Sequence, residues 1–343
     1  MASSPITTNT SGPLIAVKDL KKYFKKNHGL IDTLRGKIDY IKAVDQVSFA
    51  IKKGETLCLV GESGCGKTTV AKTILGLLKA TEGEIIYEGE DLTKCAASRY
   101  RELRTKIQMI FQDPYSSLNP RATVFDCVAE PLEVNGLVKN RKKRHEKVVG
   151  ALEAAGLLPV EKYLYKYPHH LSGGERQRVG VATALVLDPE FIVADEPTSM
   201  LDVSVQANLL ALLQDLKQKK DLTFLFITHN LSVAYVFGDR LAIMYLGRIV
   251  EMGPTEVIRD NPLHPYTKAL FSVVPRLHPD EHGKTILEGD IPDASDIPKG
   301  CPFHPRCPDQ KERCLEKTPE LFDVGDGRQV ACFQQWEQSQ KIV

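Results

Sequence analysis

Residues 61–69 read Gly-Glu-Ser-Gly-Cys-Gly-Lys-Thr-Thr and match the phosphate-loop pattern GxxxxGK[ST] at every defined position. The run before them, Thr56–Val60, is typical of a buried parallel strand, and a helical pattern follows them as far as Leu78. Glycines let successive backbone N–H groups surround a phosphate, and the positive end of the helix faces the same oxygens. We therefore expect an α/β fold with a nucleotide phosphate site at this turn.

Two side chains of the loop have expected roles of their own. Lys67 should reach the β- and γ-phosphates, and Thr68 should offer its hydroxyl to Mg²⁺. The predicted nucleotide contacts comprise the whole loop, namely Gly61, Glu62, Ser63, Gly64, Cys65, Gly66, Lys67, Thr68 and Thr69.

A second apolar run, Phe191–Ala194, ends in the acid pair Asp195-Glu196. In phosphoryl transfer an aspartate at the end of a strand holds Mg²⁺. A neighbouring carboxylate can act as general base toward the attacking water. We expect Asp195 to serve the metal and Glu196 to serve the water.

The remaining pattern surrounds these motifs with further elements. Residues from about 115 to 171 are predicted to be mostly helical, and a Pro-rich segment after Gly253 is predicted to be irregular and to lie outside the main fold. Lys25–Lys42 is interpreted as an inserted surface loop. Other predicted strands are Leu14–Val17, Ala43–Ile51, Glu84–Tyr87, Lys106–Phe111, Thr223–Thr228 and a hairpin of Arg240–Leu246 with Arg248–Glu251; predicted helices include Val124–Leu132 and Glu146–Ala155.

Composition excludes several classes of protein. The chain has 343 residues, 42% hydrophobic and 26% charged, with a net charge of +1, so nothing attracts it as a whole to nucleic acid. The basic run Lys139–Lys147 is interpreted as a solvated face rather than as a nucleic-acid site. The longest apolar stretch, Val179–Leu187, is far shorter than the roughly 20 residues of a membrane span. Residues 1–13 do not have the pattern of a signal peptide and predict a disordered lead, so a soluble cytoplasmic protein is expected.

Four further motifs follow in a fixed order. Gln112 lies in Phe-Gln-Asp-Pro, residues 171–175 read Leu-Ser-Gly-Gly-Glu, Asp202 ends Ser-Met-Leu-Asp, and His229 follows a predicted strand. Together with the phosphate loop and the acid pair, they resemble the ATP-binding subunit of ABC transporters. The resemblance covers about residues 14–254, and Glu175 stands where the family usually has Gln. A GTPase is disfavoured because no NKxD guanine motif is present.

The resemblance implies roles for individual residues. The catalytic set would be Glu196, His229 and Gln112, and Mg²⁺ would be held through Thr68, Gln112 and Asp195. Phe24 would stack on adenine, with Tyr23 as the alternative. A second chain's ATP would be contacted in trans by Ser172, Gly173, Gly174, Glu175 and Asp202, which begin or precede predicted helices.

The same resemblance implies the domain organisation and the cycle of the protein. A P-loop NTPase core of ABC type would occupy residues 14–255, with an antiparallel β subdomain and a helical subdomain at about 115–171. Residues 256–343 would form an irregular extension rich in Cys and Pro. Two ATP molecules would be held between two head-to-tail subunits that close on binding and open on hydrolysis.

Four of the eight cysteines lie in the extension, at Cys301, Cys307, Cys314 and Cys332. Four thiols in about thirty residues match a zinc site or an iron–sulfur cluster, although unligated thiols are an alternative. Residues 261–268 and 300–307 resemble the extension of oligopeptide and dipeptide transporter ATPases, which implies a [4Fe–4S] cluster and a peptide cargo.

The expected function is therefore ATP hydrolysis that powers import of di- or oligopeptides. The implied partners are a second ABC ATPase subunit (a paralogue or an identical copy), two transmembrane permease subunits and an extracytoplasmic substrate-binding protein. The expected location is peripheral, at the cytoplasmic face of the inner membrane. Alternatives are a nickel or oligosaccharide importer and, less favoured, a soluble ABC ATPase of DNA repair or translation.

Overall fold

The computed structural model of the protein describes residues 12–26, 39–272, 287 and 289–340. The predicted disordered lead and most of the predicted loop at 25–42 therefore lie outside the described residues, apart from their ends. The strands are β1 (Ile15–Lys25), β2 (Tyr40–Ile51), β3 (Thr56–Val60), β4 (Glu82–Tyr87), β5 (Glu90–Asp91), β6 (Ile107–Ile110), β7 (Phe191–Asp195), β8 (Thr223–Thr228), β9 (Arg240–Tyr245), β10 (Arg248–Pro254), β11 (Phe322–Gly325) and β12 (Arg328–Val330). The helices are α1 (Lys67–Ile74), α2 (Ala97–Leu103), α3 (Pro114–Ser117), α4 (Val124–Val134), α5 (Arg141–Ala154), α6 (Gly173–Leu185), α7 (Val203–Lys220), α8 (Leu231–Phe237), α9 (Thr255–Asp260), α10 (Pro265–Ser272), α11 (Glu312–Glu316) and α12 (Phe333–Ser339).

The main sheet has the strand order β11-β12-β10-β9-β3-β8-β7-β6. Its centre is parallel: β3 pairs with both β8 and β9, and β7 pairs with β8 and β6. Every residue of β3, β7 and β8 is buried, as their uninterrupted apolar runs predicted. The carboxyl ends of parallel strands meet at one edge, so this topology brings the turns after β3, β7 and β8 together.

A second sheet, of order β2-β1-β4-β5, is antiparallel. Strand β1 is longer than predicted and runs to Lys25, because it pairs along its length with β2. The buried side chains of this sheet share one apolar core with α1 and with one face of the main sheet, for example Leu20, Val47, Val70 and Leu59. The second sheet therefore covers the helix that follows the phosphate loop.

Residues 114–185 contain the helices α3 to α6, with 3₁₀ turns at Val160–Lys162 and Pro168–His170, so the segment predicted from sequence to be mostly helical, about 115–171, is largely helical. Helix α4 begins at a capping box in which Thr123 and Asp126 bond reciprocally. Helix α5 begins after Asn140, and the charged residues of its first half are mostly exposed, as a solvated face requires. Within the described ranges, no helix is both long and apolar enough to cross a membrane.

The extension is not outside the main fold, and this expectation from sequence is wrong. Strand β12 pairs with β10 and adds the extension to the main sheet. The buried carboxylate of Glu251 in β10 accepts the backbone N–H groups of Leu263 and His264 at 3.0 and 2.9 Å. Without β12, strand β10 would present an unpaired edge, which is costly to leave open. Pro265 is compatible with a helix because it is the first residue of α10.

Candidate active site

The phosphate loop is tightly held between β3 and α1. Gly66 caps the helix with φ 106°, a conformation that favours glycine. A Cβ on Gly66 would lie 2.1 Å from the carbonyl oxygen of Ala43, and one on Gly61 would lie 2.2 Å from that of Met244. Gly61 and Gly66 are therefore required by the close approach of these two backbone carbonyl oxygens.

Lys67 and Thr68 are the first residues of α1, and both line the cavity at the phosphate loop. The buried Lys67 Nζ donates to the carbonyl oxygens of Gly61 and Glu62 at 2.7 and 2.9 Å. Thr68 Oγ1 donates to Asp195 Oδ1 at 3.1 Å. The hydroxyl and the carboxylate assigned to Mg²⁺ are thus in contact, and both suit that hard cation.

Burial raises the pKa of the Asp195 carboxyl, and the nearby charge of Glu196 adds to this effect. The hydrogen bond from Thr68 opposes it. A divalent cation at this carboxylate would favour its ionised form, because an opposite charge at short range lowers a carboxyl pKa. The donor set therefore fits Mg²⁺, which would polarise the phosphate oxygens when bound.

Two of the predicted catalytic side chains, Gln112 and His229, contact the same carboxylate oxygen of the third, Glu196. Glu196 Oε2 accepts a hydrogen bond from Gln112 Nε2 at 3.1 Å, and His229 Nδ1 lies 3.1 Å from the same oxygen. Glu196 also has the left-handed backbone conformation, with φ 44°, which is strained for a residue with a side chain. The turn after β7 therefore holds the Glu196 carboxylate at the edge of the sheet through a strained backbone conformation.

These groups face a cavity of about 720 Å³. Gln112, Glu196 and His229 line it together with the phosphate loop, Ile41 and Ala43, and so do two residues of the extension, Leu270 and Ala294. The predicted loop contacts in its lining are Gly61, Glu62, Ser63, Gly64, Gly66, Lys67, Thr68 and Thr69. Cys65 is instead buried beneath the loop, and burial raises the pKa of its thiol.

Phe24 is not among the residues that line this cavity, but it shares a face with one that is. Phe24 lies directly opposite Ile41 in the β1–β2 ladder, and opposite residues project to the same side. Tyr23 projects to the other face, where its hydroxyl donates to Asp45 at 2.5 Å. Strand alternation thus favours Phe24 over Tyr23 for contact with a base.

The signature residues lie elsewhere: in the described part of the chain, Ser172 to Glu175 and Asp202 do not line the cavity. Ser172 caps α6, and the N–H of Glu175 donates to its Oγ at 3.3 Å. In return Glu175 Oε2 accepts from the N–H and the hydroxyl of Ser172 at 2.8 and 2.9 Å. The backbone N–H of Ser172 lowers the pKa of the Glu175 carboxyl most, so it is ionised at neutral pH.

Glycines of the signature are packed against the start of α7. A Cβ on Gly174 would lie 2.6 Å from Val205 Cγ1, and one on Gly173 would lie 3.7 Å from Leu201. The signature and the segment that ends in Asp202 are therefore one surface. Substitution of Gly174 would disturb this packing within the chain, so Ser172 is the cleaner position to alter.

The four late cysteines, Cys301, Cys307, Cys314 and Cys332, line one small cavity of about 20 Å³. All are free thiols, and burial raises the pKa of Cys301 to about 12 and that of Cys307 to about 11. As their side chains stand, the described residues contain no group of three or more His, Cys, Asp or Glu arranged to hold a metal ion. The donor chemistry suits a thiolate centre, but the present arrangement does not form one.

Sequence reasoning did not find the contacts between the extension and the phosphate loop. Arg306 Nη1 donates to Glu62 Oε2 at 3.0 Å, and the N–H of Glu62 donates to Tyr266 Oη at 3.1 Å. Tyr266 and Arg306 lie in the two stretches that carried the resemblance to peptide transporters, residues 261–268 and 300–307. Glu62, with which both pair, is more than 200 positions away, and no local sequence signal indicates these contacts.

Comparison with known proteins agrees with this geometry. A family model of the ABC transporter matches residues 44–199, and a model described as the oligopeptide/dipeptide transporter C-terminal region matches residues 250–314. The oligopeptide transport ATP-binding protein AppF of Bacillus subtilis is 44% identical over 331 residues, covering 95% of this chain and 99% of AppF. This chain belongs to the ABC transporter ATP-binding proteins. It is an ABC ATPase.

Other relatives extend the agreement. The dipeptide transport ATP-binding protein DppF of Escherichia coli is 44% identical over 322 residues and covers 94% of each chain. Among solved structures, the dimeric structure of MJ0796, a bacterial ABC transporter cassette, has a TM-score of 0.62 and 29% identity over 70% of this chain and 98% of that one. A dimeric post-hydrolysis state of that cassette, bound to ADP and phosphate, has the same TM-score and 28% identity.

Proposed function

We propose that this ABC ATPase powers the import of di- or oligopeptides. The observation that carries the hydrolytic part is the convergence of Gln112 and His229 on the carboxylate of Glu196, beside the phosphate loop. The peptide cargo is supported by the similarity to the oligopeptide and dipeptide transport ATP-binding proteins AppF and DppF and by the match at residues 250–314.

In the proposed reaction, Glu196 takes a proton from a water that attacks the γ-phosphorus of ATP. The bond between the γ-phosphorus and the bridging oxygen breaks, and ADP and phosphate leave. Lys67 and the loop N–H groups hold the phosphates, and His229 and Gln112 orient the Glu196 carboxylate. Thr68, Asp195 and Gln112 would hold Mg²⁺.

The second half of each site is proposed to come from another subunit. Ser172 is exposed at the start of α6 and does not line the chain's own loop cavity, and a helix start of this kind suits an anion. We propose that this helix start meets the γ-phosphate on a second ABC ATPase, with Asp202 beside it, and that ATP binding favours this closed pair. The dimeric solved cassettes are consistent with such a pair.

The proposed assembly also contains two transmembrane permeases and an extracytoplasmic substrate-binding protein, and the chain would sit peripherally at the cytoplasmic face of the inner membrane. We propose the domain limits 14–255 and 256–343 for the ATPase and its extension. The decisive experiment is purification of the tagged chain from its native membrane. Two polytopic proteins should accompany it, and reconstituted ATPase activity should rise with peptide but not with nickel or oligosaccharide. Stimulation by nickel or a sugar alone would reassign the cargo.

We further propose that the four late cysteines hold a structural metal centre, a [4Fe–4S] cluster, with zinc as the alternative. The support is that all four thiols line one cavity, and four thiolates suit either group. No step of hydrolysis passes through it. Iron and acid-labile sulfide in anaerobically purified protein would support the cluster. Zinc without iron would refute it.

A further inference from the structure

We infer that Arg306 is a positioning residue for ATP binding, which acts through Glu62 of the phosphate loop. This rests on the assignment of residues 61–69 to the phosphates of ATP. Arg306 contacts neither the loop backbone nor Lys67 in the hydrogen bonds of the described residues. Its effect on nucleotide would therefore be transmitted by the side chain that it pairs with.

The ion pair has the geometry of a specific contact. Arg306 Nη1 and Nη2 donate to Glu62 Oε2 and Oε1 at 3.0 and 3.4 Å, a two-pronged arrangement. The Arg306 side chain is only 8% exposed and that of Glu62 is 26% exposed. A pair so shielded is screened much less by salt than an exposed pair.

A second contact holds the backbone of the same residue. The N–H of Glu62 donates to the hydroxyl of the fully buried Tyr266 at 3.1 Å. The Tyr266 ring packs against Tyr245 and Phe303, with centroids 4.8 and 5.5 Å apart. Phe303 lies three residues before Arg306 and is itself buried, so the two contacts with Glu62 share one rigid support.

Glu62 is well placed to influence the bound phosphates. Its carbonyl oxygen accepts from Lys67 Nζ, and it lines the cavity that the loop forms. A free carboxylate here would repel a triphosphate, because like charges at short range in a partly buried site interact strongly. The guanidinium of Arg306 offsets that charge. The extension thereby makes an acidic residue acceptable inside an anion-binding loop.

The test uses the full chain in its transporter complex and measures the dissociation constant of ATP with a fluorescent ATP analogue. Arg306→Ala should weaken binding roughly tenfold, because it leaves the Glu62 carboxylate unpaired. The double variant Arg306→Ala/Glu62→Gln should recover most of the loss, since it removes the unpaired charge. Arg306→Lys should be intermediate. Recovery in the double variant separates electrostatic positioning from simple loss of packing.

Arg313→Ala is the matched control. Arg313 is another arginine of the extension, and it lies against the rings of Phe333 and Trp336 at 4.4 and 5.0 Å. It should leave ATP affinity unchanged. Unchanged affinity in Arg306→Ala, or a double variant no better than the single one, would overturn the inference.

Two further variants keep the outcome readable. If Arg306→Ala does not fold, Tyr266→Phe removes one hydroxyl and should still weaken ATP binding by about twofold to threefold; unchanged binding would count against the inference. Lys67→Ala tests the underlying assignment, because it should abolish ATP binding whatever Arg306 does. If Lys67→Ala still binds ATP, the phosphate site itself is refuted. If Lys67→Ala loses ATP binding while Arg306→Ala binds ATP normally, only the role of Arg306 is refuted.

Discussion

The phosphate loop and the signature both lie at the start of a helix, but they differ in what surrounds them. The loop at residues 61–69 lines a cavity of about 720 Å³ that it shares with Gln112, Glu196, His229 and two residues of the extension. The signature at residues 171–175 is capped by its own Glu175, and its neighbours are the first residues of α7. The loop meets Gln112, Glu196 and His229 of its own chain in that cavity, whereas the signature has its Ser172 hydroxyl bound to a carboxylate.

This difference shows that a helix start alone does not define a nucleotide site. The loop's own Lys67 and Thr68 are joined by Asp195 and Glu196 at the end of β7 and by His229 after β8. Among the described residues, those of the signature do not line the loop cavity. Under the proposed function, the signature would serve catalysis only when a second subunit supplies the phosphate.

The strongest expected effect is on the first site. Glu196→Gln should keep ATP binding and lower turnover roughly 10²- to 10⁴-fold, because it removes the general base while its amide can still contact Gln112 and His229. The measurement is single-turnover ATP hydrolysis by the purified complex. Glu190→Gln, at the opposite end of the same strand, bonds Tyr87 instead and should hydrolyse normally. Normal turnover in Glu196→Gln would remove this residue from the mechanism.

The second prediction tests whether the signature serves another chain. Ser172→Arg should leave ATP binding to its own loop intact and lower turnover of the ATP held by its partner roughly 100-fold, since a phosphate-stabilising donor is lost. The measurement uses a complex with one altered and one normal subunit. ATPase activity measured at each site shows whether the altered chain's own site or its partner's site has lost activity. Ser98→Arg, on an exposed helix position, is the control. Loss of binding in the altered chain itself would break the contrast between the sites.

The third prediction concerns the support beneath the loop. Burial lowers the pKa of His264 to about 3, and its Nδ1 accepts the N–H of Tyr266, which in turn holds Glu62. The unfolded chain has a histidine pKa near 6.5, so below that pH it binds a proton that the folded chain excludes. Stability should therefore fall as pH falls from 6.5 toward 3, by about 2 kcal/mol at pH 5 from this group alone.

Urea unfolding at pH 7 and pH 5 measures this loss. His264→Asn keeps an acceptor oxygen but does not titrate, so it should lose less stability between the two pH values than the natural chain. His145→Asn, at an exposed position, should retain the natural dependence. If the free energy of unfolding changes equally between pH 7 and pH 5 in all three proteins, His264 takes up no proton on unfolding between these pH values.

The smallest expected effect is at the cap of the signature. Glu175→Gln can keep both hydrogen bonds to Ser172 while it removes a negative charge from the proposed γ-phosphate contact. We expect closure of the dimer at about twofold to fivefold lower ATP concentration, in line with the energy of one charge at a helix start. Closure is measured by gel filtration in the Glu196→Gln background. A higher ATP requirement would show that the carboxylate assists closure.

Much of the site was predictable because its signals are short-range. The loop pattern with its flanking strand and helix and the acid pair at a strand end each lie within a few residues of sequence, and the order of the motifs is visible along the chain. The parallel β/α alternation then requires the ends of β3, β7 and β8 to meet at one edge. The extension was misplaced because its proline density indicated irregular chain and could not show that β12 pairs with β10.

The sequence by itself determined the class of fold and the ATPase chemistry of this chain, and it contains the residues proposed for the two halves of a site. Local patterns suffice for this, because strand period, helix capping and glycine-dependent turns are properties of neighbouring residues. Only the tertiary structure decided that Gln112 and His229 share one oxygen of Glu196 and that Arg306 pairs with Glu62 across 244 positions. Contacts at such separation depend on how the sheet and the extension pack, and no periodicity within the chain encodes them.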